Sequence, residues 1–406
     1  MTSEWSHTTL GEVCQIQSGA GFPLKHQGCR EGDFPVFKVG DMNSDGNENY
    51  LIKTPNYISE EIRKALGAKV LPPESIVFPK VGGAIATNKK RRIKVPSCVD
   101  NNVMGLIPNQ ERISSDFLAW WIHGIDIYEF SNKANPPSIT QATVKDWPIA
   151  IPPLDEQQLI VTVLDEAFEG LARARAHAEA NLQNARELFE SIKADKLARG
   201  VSDGENVTLS DVAEIKSSLV DPREDSYIDM LHLGAGNMIT GTDELIEVKT
   251  AREEKLKSGK YFFDETMVLY SKIRPYLRKA ARPDFQGLCS ADVYPLIPNP
   301  KRLDRDFLFN LLLGHDFTEY AIGGSDRAGM PKVNRNHMFA YHFKLPPLDM
   351  QRCIASAIDE AYVSCRTLSE LANKKIQDID GLRQSLLQKA FTGKMLSLIH
   401  ISEPTR

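Results

Sequence analysis

Pro152-Pro153-Leu154-Asp155 returns as Pro346-Pro347-Leu348-Asp349, 194 residues later, and Asp165-Glu166-Ala167 returns at that same offset as Asp359-Glu360-Ala361. Upstream, Leu106-Ile107-Pro108-Asn109, Arg112 and Asp116-Phe117-Leu118 recur as Leu296-Ile297-Pro298-Asn299, Arg302 and Asp306-Phe307-Leu308 at an offset of 190, with Gly124 and Gly314 in the same register. At the front, Thr9-Leu10-Gly11-Glu12-Val13 is echoed by Thr208-Leu209-Ser210-Asp211-Val212. A period this long exceeds any solenoid unit and has the size of a domain, so the chain reads as a tandem duplication of a globular part plus a tail. Small drifts in the offset mean that loops vary in length on a constant framework.

Each Pro-Pro pair opens a run of roughly 45 residues without proline, rich in good helix formers, so both tails are predicted to be long helices. In the first, Leu164, Leu171, Ala178, Ala185 and Ile192 recur every seven residues, with Phe168, Leu182 and Phe189 on the neighbouring seam. In the second, Ile358, Cys365, Ala372, Ile379 and Leu386 do the same. Arg175, Lys196, Ser369 and Arg383 fall on the weaker seam, so the heptad is imperfect. The two helices are expected to pack antiparallel, alanines permitting close approach, each on the order of 65 Å long and acting as a ruler. The helix-packing set is Leu164, Phe168, Leu171, Leu182, Ile192, Ile358, Ile379 and Leu386.

The globular parts read as mixed α/β. Ile76-Val77-Phe78 and Met267-Val268-Leu269-Tyr270 are strand-like runs bounded by Gly, Pro and Asn. Phe117 to Phe130 and Phe307 to Tyr320 look like short amphipathic helices whose aromatics belong to a core rather than to a cofactor. The expected fold class is α/β: similar domains at 1–153 and 201–347, separated by long helices at 154–200 and 348–395 that pack as an antiparallel coiled coil. Leu398 to Arg406 resembles a translated sequencing-adapter read, so 396–406 is set aside as an artefactual tail and the natural C-terminus is expected to be missing.

Composition excludes several classes. With 406 residues, 42% apolar and 25% charged, the chain can bury real cores. Apolar runs such as Leu311-Leu312-Leu313 and Ile149-Ala150-Ile151 are far shorter than the roughly 20 residues of a spanning helix. Met1-Thr2-Ser3-Glu4-Trp5 lacks the cationic start of a signal peptide, so a cytoplasmic location is expected. Cys14, Cys29, Cys98, Cys289, Cys353 and Cys365 form no C-x-x-C pair and read as reduced, mostly buried thiols, with no metal site.

A net charge of −5 argues mildly against a protein that holds DNA unaided, yet its distribution is uneven. Between Ile76 and Val99 there is no acidic residue, while Lys80, Lys89, Lys90, Arg91, Arg92 and Lys94 surround Gly82-Gly83. Between Thr266 and Pro283 acids are again absent, and Lys272, Arg274, Arg278, Lys279 and Arg282 surround Tyr276. Lys80 and Lys272 align at an offset of 192. One basic run is usually a solvated face. Its recurrence at one place in both copies points to DNA, with Lys and Arg on phosphates and some side chains reaching base edges. The candidate DNA-binding residues are therefore Lys80, Lys89, Lys90, Arg91, Arg92, Lys272, Arg274, Tyr276, Arg278 and Lys279. Twin readers on a ruler predict a bipartite site with halves about one helical turn apart.

These residues resemble the specificity subunits of type I restriction-modification systems. Gly19-Ala20-Gly21-Phe22-Pro23, Phe37-Lys38-Val39-Gly40-Asp41-Met42 and Ile151-Pro152-Pro153-Leu154-Asp155-Glu156-Gln157 look like that family's target-recognition domain running into its spacer helix. Pro346-Pro347-Leu348-Asp349-Met350-Gln351 looks like the second such junction, with Met350 where Glu156 stands in the first. The resemblance implies a non-catalytic subunit that binds double-stranded DNA, two methyltransferase (M) subunits and restriction/motor (R) subunits. The methyl donor would be held by the methyltransferase, so no cofactor is expected here.

Rival readings have less support. Asn135-Pro136-Pro137-Ser138 looks like the Asn-Pro-Pro-aromatic motif of amino-methyltransferases, but it lacks the aromatic and no Gly-rich donor loop precedes it. The corresponding Gly329-Met330-Pro331-Lys332 makes a loop leading to the last strand the expected role. No phosphate-binding G-x-x-x-x-G-K-[ST], no H-E-x-x-H and no G-x-S-x-G is present. A coiled-coil-bridged interaction protein without a DNA role would explain the helices and leave the paired basic loops unexplained.

Overall fold

The computed structural model describes residues 5–200, 204–216, 218–325 and 331–392, so the tail at 396–406 lies outside the described residues. The chain divides into two compact units: residues 1–177 with 375–406, and residues 178–374.

In the first unit the strands are β1 (Ser6–Thr9), β2 (Cys14–Ser18), β3 (Phe34–Phe37), β4 (Tyr50–Leu51), β5 (Tyr57–Ile58), β6 (Ile76–Pro79), β7 (Arg91–Ile93), β8 (Cys98–Val99), β9 (Val103–Pro108) and β10 (Pro148–Ile151). Its helices are α1 (Leu10–Val13), α2 (Glu60–Ala65), α3 (Ser115–His123), α4 (Gln141–Lys145) and the start of α5 (Leu154–Gly200). The main sheet runs β2-β9-β6-β7-β4, flanked by the β1-β10 pair and by a β5-β3-β8 sheet.

The second unit contains β11 (Glu205–Thr208), β12 (Ala213–Ile215), β13 (Leu219–Val220), β14 (Leu231–Leu233), β15 (Lys249–Thr250), β16 (Lys260–Phe263), β17 (Val268–Ser271), β18 (Ala280–Ala281), β19 (Gly287–Cys289), β20 (Val293–Pro298) and β21 (His342–Leu345). Helices α6 (Arg305–Leu312), α7 (His315–Gly323), α8 (Arg335–Phe339) and most of α9 (Leu348–Ala390) complete it. Its sheets β12-β20-β17-β18 and β11-β21 repeat β2-β9-β6-β7 and β1-β10 of the first unit in the same order, without a counterpart of β4. The registers agree as well: Ile76 faces Leu106 and Val268 faces Leu296.

The repeated residues turn out to be the framework. Asn109 and Asn299 end β9 and β20, each donating its backbone N–H to the carbonyl of Val13 or Val212 and accepting with its side chain from the N–H two residues on, an Asx turn. Phe117 and Phe307 are fully buried on α3 and α6. Most telling is a buried glutamine one turn into each long helix. Gln157 Oε1 accepts the Ser114 N–H at 2.9 Å, and its Nε2 donates to the carbonyls of Arg112 and Pro152, both at 2.9 Å. Gln351 does the same with Asp304 N–H at 2.8 Å, Arg302 at 2.8 Å and Pro346 at 2.7 Å. Both are fully excluded from solvent. Each amide thereby fastens the last strand, the long helix and the loop before the short helix to one another.

The long helices carry the predicted stripe. In the first unit, Leu164 on α5 is buried, Arg383 of α9 lies over the Phe168 ring, and Arg175 pairs with Asp380. As the α5 number rises the α9 number falls, so the pair is antiparallel. Phe391, just past the end of α9, packs edge-on against Phe117, 5.3 Å between centroids. In the second unit Phe189 stacks edge-on with Tyr362 at 5.4 Å, and Ala185, Ile358 and Cys365 are buried. Leu171, Leu182 and Ile192 are only half-buried, while Ala178, Ala372 and Ile379 are enclosed. At the end of α9 the enclosed residue is Leu387 rather than the expected Leu386. A straight helix drifts about 20° per heptad against a 3.5 repeat, so over the heptads from Ile358 the stripe moves nearly one residue.

The short helices differ from the sequence expectation in one respect: each is broken. In the first unit α3 stops at Gly124 and a 3₁₀ turn follows at Ile127–Phe130; in the second, α6 and α7 meet at Gly314. All six cysteines are unpaired; Cys14, Cys98, Cys289 and Cys365 are buried, Cys29 and Cys353 exposed. No helix among the described residues is long and apolar enough to cross a membrane.

Replacing Gln157 or Gln351 by Ala leaves a buried donor and two buried carbonyls without partners, and each such group costs about 1–3 kcal/mol. Either substitution is expected to destabilise its own unit by at least about 2 kcal/mol in denaturant titrations, whereas exposed Gln158→Ala stays within about 0.5 kcal/mol of the parent.

Candidate nucleic-acid interface

In the first unit, Ser18 pairs with Met104 and Pro79 with Val103, so the C-terminal ends of β2 and β6 and the start of β9 share one edge of the sheet. Four loops leave or meet that edge. Lys80 opens the β6–β7 connection, donating its N–H to the Asn102 carbonyl at 2.9 Å and accepting from the Ile139 N–H at 2.8 Å. Gly82, at φ +74°, donates to the Pro137 carbonyl at 2.8 Å. Asn135-Pro136-Pro137-Ser138 is therefore the strap beside this connection, and it leads on through α4 to the last strand, as a loop should.

The second unit repeats this construction bond for bond. Lys272 opens the β17–β18 connection; its N–H reaches the Asp292 carbonyl at 3.0 Å and its carbonyl accepts from Val333 at 2.8 Å. Arg274 takes the place of Gly82, donating to the Pro331 carbonyl at 2.9 Å. The alignment of Lys80 with Lys272 is thus a structural equivalence. Gly329 and Met330 lie outside the described residues.

What the two edges display differs. In the second unit Arg274 (φ 51°) and Arg278 (φ 45°) bracket a 3₁₀ turn at Pro275–Leu277. Both hold the left-handed conformation that side-chain-bearing residues rarely adopt. Arg274 and Tyr276 project from the turn, Tyr276 with 52% of its surface exposed. Arg278 and Lys279 turn back, the former to Glu190 on α5 at 2.6 Å, the latter to the Ala235 carbonyl at 2.7 Å. Lys272 Nζ bonds the Ala291 carbonyl at 2.5 Å and lies over the Tyr294 ring.

In the first unit Lys80 Nζ donates to Ser18 Oγ at 3.0 Å at the edge itself. On the return of the same connection the side chains leave the edge. Lys89 bonds Asn43, and Lys90 donates to Asn88 Oδ1 and the Ile125 carbonyl, both at 2.7 Å. Arg91 donates to the carbonyls of Lys90 at 2.8 Å and Met42 at 2.9 Å. Arg92 is held by Glu74 and by Asp116 on α3, the latter at 2.7 Å.

Arg92 has an exact counterpart that residue type alone does not reveal. It pairs with Ile76 across β6–β7, and the residue in the same register beside Val268 is Arg282, which contacts Asp306 at 3.2 Å, the repeat partner of Asp116. Burial works against the charge of Arg282, but Asp359, Asp306 and Asp243 together hold its protonated form above the ordinary value. These two arginines tie sheet to helix. The loop after β2, which leaves from this edge, carries Lys25 and His26 next to Leu24, 84% exposed. Sequence reasoning quoted its Gly19-Ala20-Gly21-Phe22-Pro23 start without weighing those cations.

Two outcomes follow from these charges. Arg282→Met strands three half-exposed carboxylates and is expected to cost the second unit about 2 kcal/mol, while Arg274→Ala leaves its unfolding midpoint unchanged. Burial pushes the Lys90 ammonium from 10.5 down to about 8. The penalty of keeping it charged is complete below about pH 8 and vanishes as pH rises toward 10.5. Lys90→Met should therefore stabilise the first unit at neutral pH and confer no advantage in strongly alkaline buffer, as read by denaturant titration at each pH.

The comparisons with known proteins agree with this duplicated architecture. A family model described as the type I restriction modification DNA specificity domain matches residues 2–177 and again 202–378. The chain is 27% identical over 327 residues to the type I restriction enzyme EcoDI specificity subunit of Escherichia coli, covering 72% of each protein. It is 21% identical over 405 residues to the StySPI specificity subunit of Salmonella potsdam, covering 91% of this chain and 84% of that one. Its fold is similar, with a TM-score of 0.74 at 17% identity over 96% of this chain and 98% of the other, to a chain solved in work on complex assembly and conformational transition of the type I R-M system. It is also similar to the HsdS subunit from Thermoanaerobacter tengcongensis, with a TM-score of 0.62 at 17% identity over 96% and 97%. Because the family match falls once on each copy of the repeat and spans most of the sequence, the chain belongs to the type I restriction-modification DNA specificity family, as a non-catalytic specificity subunit with DNA-recognition domains.

Proposed function

We propose that each unit reads one half of a bipartite DNA sequence through its loop-bearing sheet edge, and that α5 and α9 set the distance between the halves while docking two methyltransferase subunits. Restriction subunits join that assembly in the cytoplasm. One observation carries the reading: the same connection leaves the same edge in both units on the same three backbone bonds, yet one displays Gly82-Gly83 and the other Arg274-Pro275-Tyr276. A duplicated framework with divergent displays is what two readers of different sequences require. The left-handed conformation of Arg274 supports it, since strain of about 1–3 kcal/mol per residue persists where the surroundings impose a display.

Chemically, Arg274 can offer its guanidinium fork to a guanine edge or a phosphate, and Tyr276 can stack on or donate to a base. Lys25 and Lys80 suit backbone phosphates in the first unit. Arg92, fastened to carboxylates, supports the domain that carries the reading loops. The negative total charge is accommodated if partner subunits supply part of the phosphate neutralisation.

The test is selection from random-sequence duplexes by the chain co-expressed with its methyltransferase partner, followed by sequencing at moderate salt. Two short motifs at a fixed spacing are expected. Arg274→Ala with Tyr276→Ala should relax one motif, each lost base contact costing about 1–3 kcal/mol, and Lys80→Ala with Lys25→Ala should weaken retention through the other half. Sequence-blind retention by an assembled complex would instead favour a bridging protein without a reading role.

A further inference from the structure

Away from the loop edge, the first unit holds a cleft of about 600 Å³ between β7, α3, α5 and the end of α9. Lys90, Arg91 and Arg383 line it together with His123. The bonds of Lys90 go to an amide oxygen and a backbone carbonyl, and those of Arg91 to backbone carbonyls alone, all neutral acceptors. The Arg383 guanidinium lies 5.4 Å from the centre of the Phe168 ring. Charges withdrawn from water are normally paired with an opposite charge.

Among the residues that line the cleft, the cations Lys89, Lys90, Arg91, Arg92 and Arg383 outnumber the carboxylates Glu48, Asp116 and Asp165. Asp116 is engaged by Arg92, and Asp165 accepts from Trp120 Nε1 at 2.8 Å. Glu48 accepts the Gly46 N–H at 2.9 Å and attracts Arg91 from the exposed rim; Asp126 accepts the Tyr128 N–H at 2.9 Å and attracts Lys90. Burial lowers the basicity of His123, and Lys90, Arg383 and Arg91 lower it further, so these cations act on one volume.

The framework does not require this charge. In the second unit the registers of Lys90 and Arg91 are occupied by Ala280 and Ala281, buried to 1% and 0% exposure, and the strand pairing is the same. The cations were therefore added to the first copy, or lost from the second, without consequence for the sheet.

We propose that this cleft is an anion site that takes a phosphate group. Guanidinium forks and an ammonium converging from the start of β7 and from α9 suit the tetrahedral oxygens of phosphate, and the volume, walled by Trp120 and Phe168, exceeds that of a simple ion. The phosphate comes either from the backbone of bound DNA or from a free phosphate ester. The site stands independently of whether the loop edges read DNA.

The test uses the full chain, titrated calorimetrically with inorganic phosphate and, separately, with duplex DNA with and without phosphate as competitor. A double variant, Lys90→Ala with Arg91→Ala, copies the pair that the second unit already folds around; Arg383→Gln is an independent variant on another element. Phosphate affinity is expected to fall at least about tenfold in both, which is roughly 1.4 kcal/mol, while the unfolding midpoint of the double variant without phosphate does not fall. Duplex affinity that falls in parallel, with phosphate competing, assigns the ligand to the DNA backbone; unchanged duplex affinity assigns it to a free phosphate ester. Absence of phosphate binding, or equal binding by parent and variants, overturns the site. Duplex binding by a chain that binds no phosphate would leave the reading edges standing and remove only this cleft. Phosphate binding without duplex binding would do the reverse.

Discussion

A single buried amide in each half, Gln157 and Gln351, holds the architecture together. Each sits at the point where the last strand becomes a helix of more than forty residues, and its oxygen and nitrogen satisfy backbone groups from two other segments. A long exposed helix with little intrinsic attachment would otherwise pivot on its Pro-Pro junction. Glutamine suits this position because one planar group both donates and accepts, and because its length reaches the loop without a charge that would need its own partner. The sheet edge, the short helix and the long helix are thereby set at fixed angles within each unit.

On that frame the duplication has separated two kinds of residue. Those that repeat in sequence, the Leu-Ile-Pro-Asn strand end, the Asp116 and Asp306 carboxylates and the buried Phe117 and Phe307, build the domain. Those that differ lie in the β6–β7 and β17–β18 connections, which grow from identical backbone bonds and then diverge. Positive charge in these connections serves three ends: Arg92 and Arg282 brace sheet against helix, Lys80 and Arg274 stand at the edge, and Lys90 and Arg91 face the cleft of the first unit. One composition signal therefore hides several physical roles.

Much of this was legible in the sequence because it follows from spacing. The repeat gave the two similar α/β parts, the heptads gave the helix stripe, and the coincidence of basic runs gave structurally equivalent connections in the two units. The stripe was misplaced where a seven-residue count outran helical geometry, at Leu386, where Leu387 is enclosed instead, and at Ile192, where Lys193 is. Sorting the cations was beyond reach because the fate of Arg92 depends on Glu74 and Asp116, and that of Arg282 on Asp243, Asp306 and Asp359, which no local window brings together. Lys25 was passed over for the opposite reason: a short loop with two cations carries no signal until the strand pairing shows that it leaves from the edge where Lys80 stands.

The central claim is that the equivalent edges of two duplicated units face different halves of one DNA site. Photo-crosslinking tests it most directly: a benzophenone side chain is placed at Leu24 or, separately, at Tyr276 in the full chain assembled with its methyltransferase partner on the selected duplex, and the crosslinked nucleotides are mapped. The account predicts crosslinks from the two positions to opposite halves of the site, about one helical turn apart. Crosslinks from both positions to the same half, or none to DNA from a complex that binds it, would contradict the account.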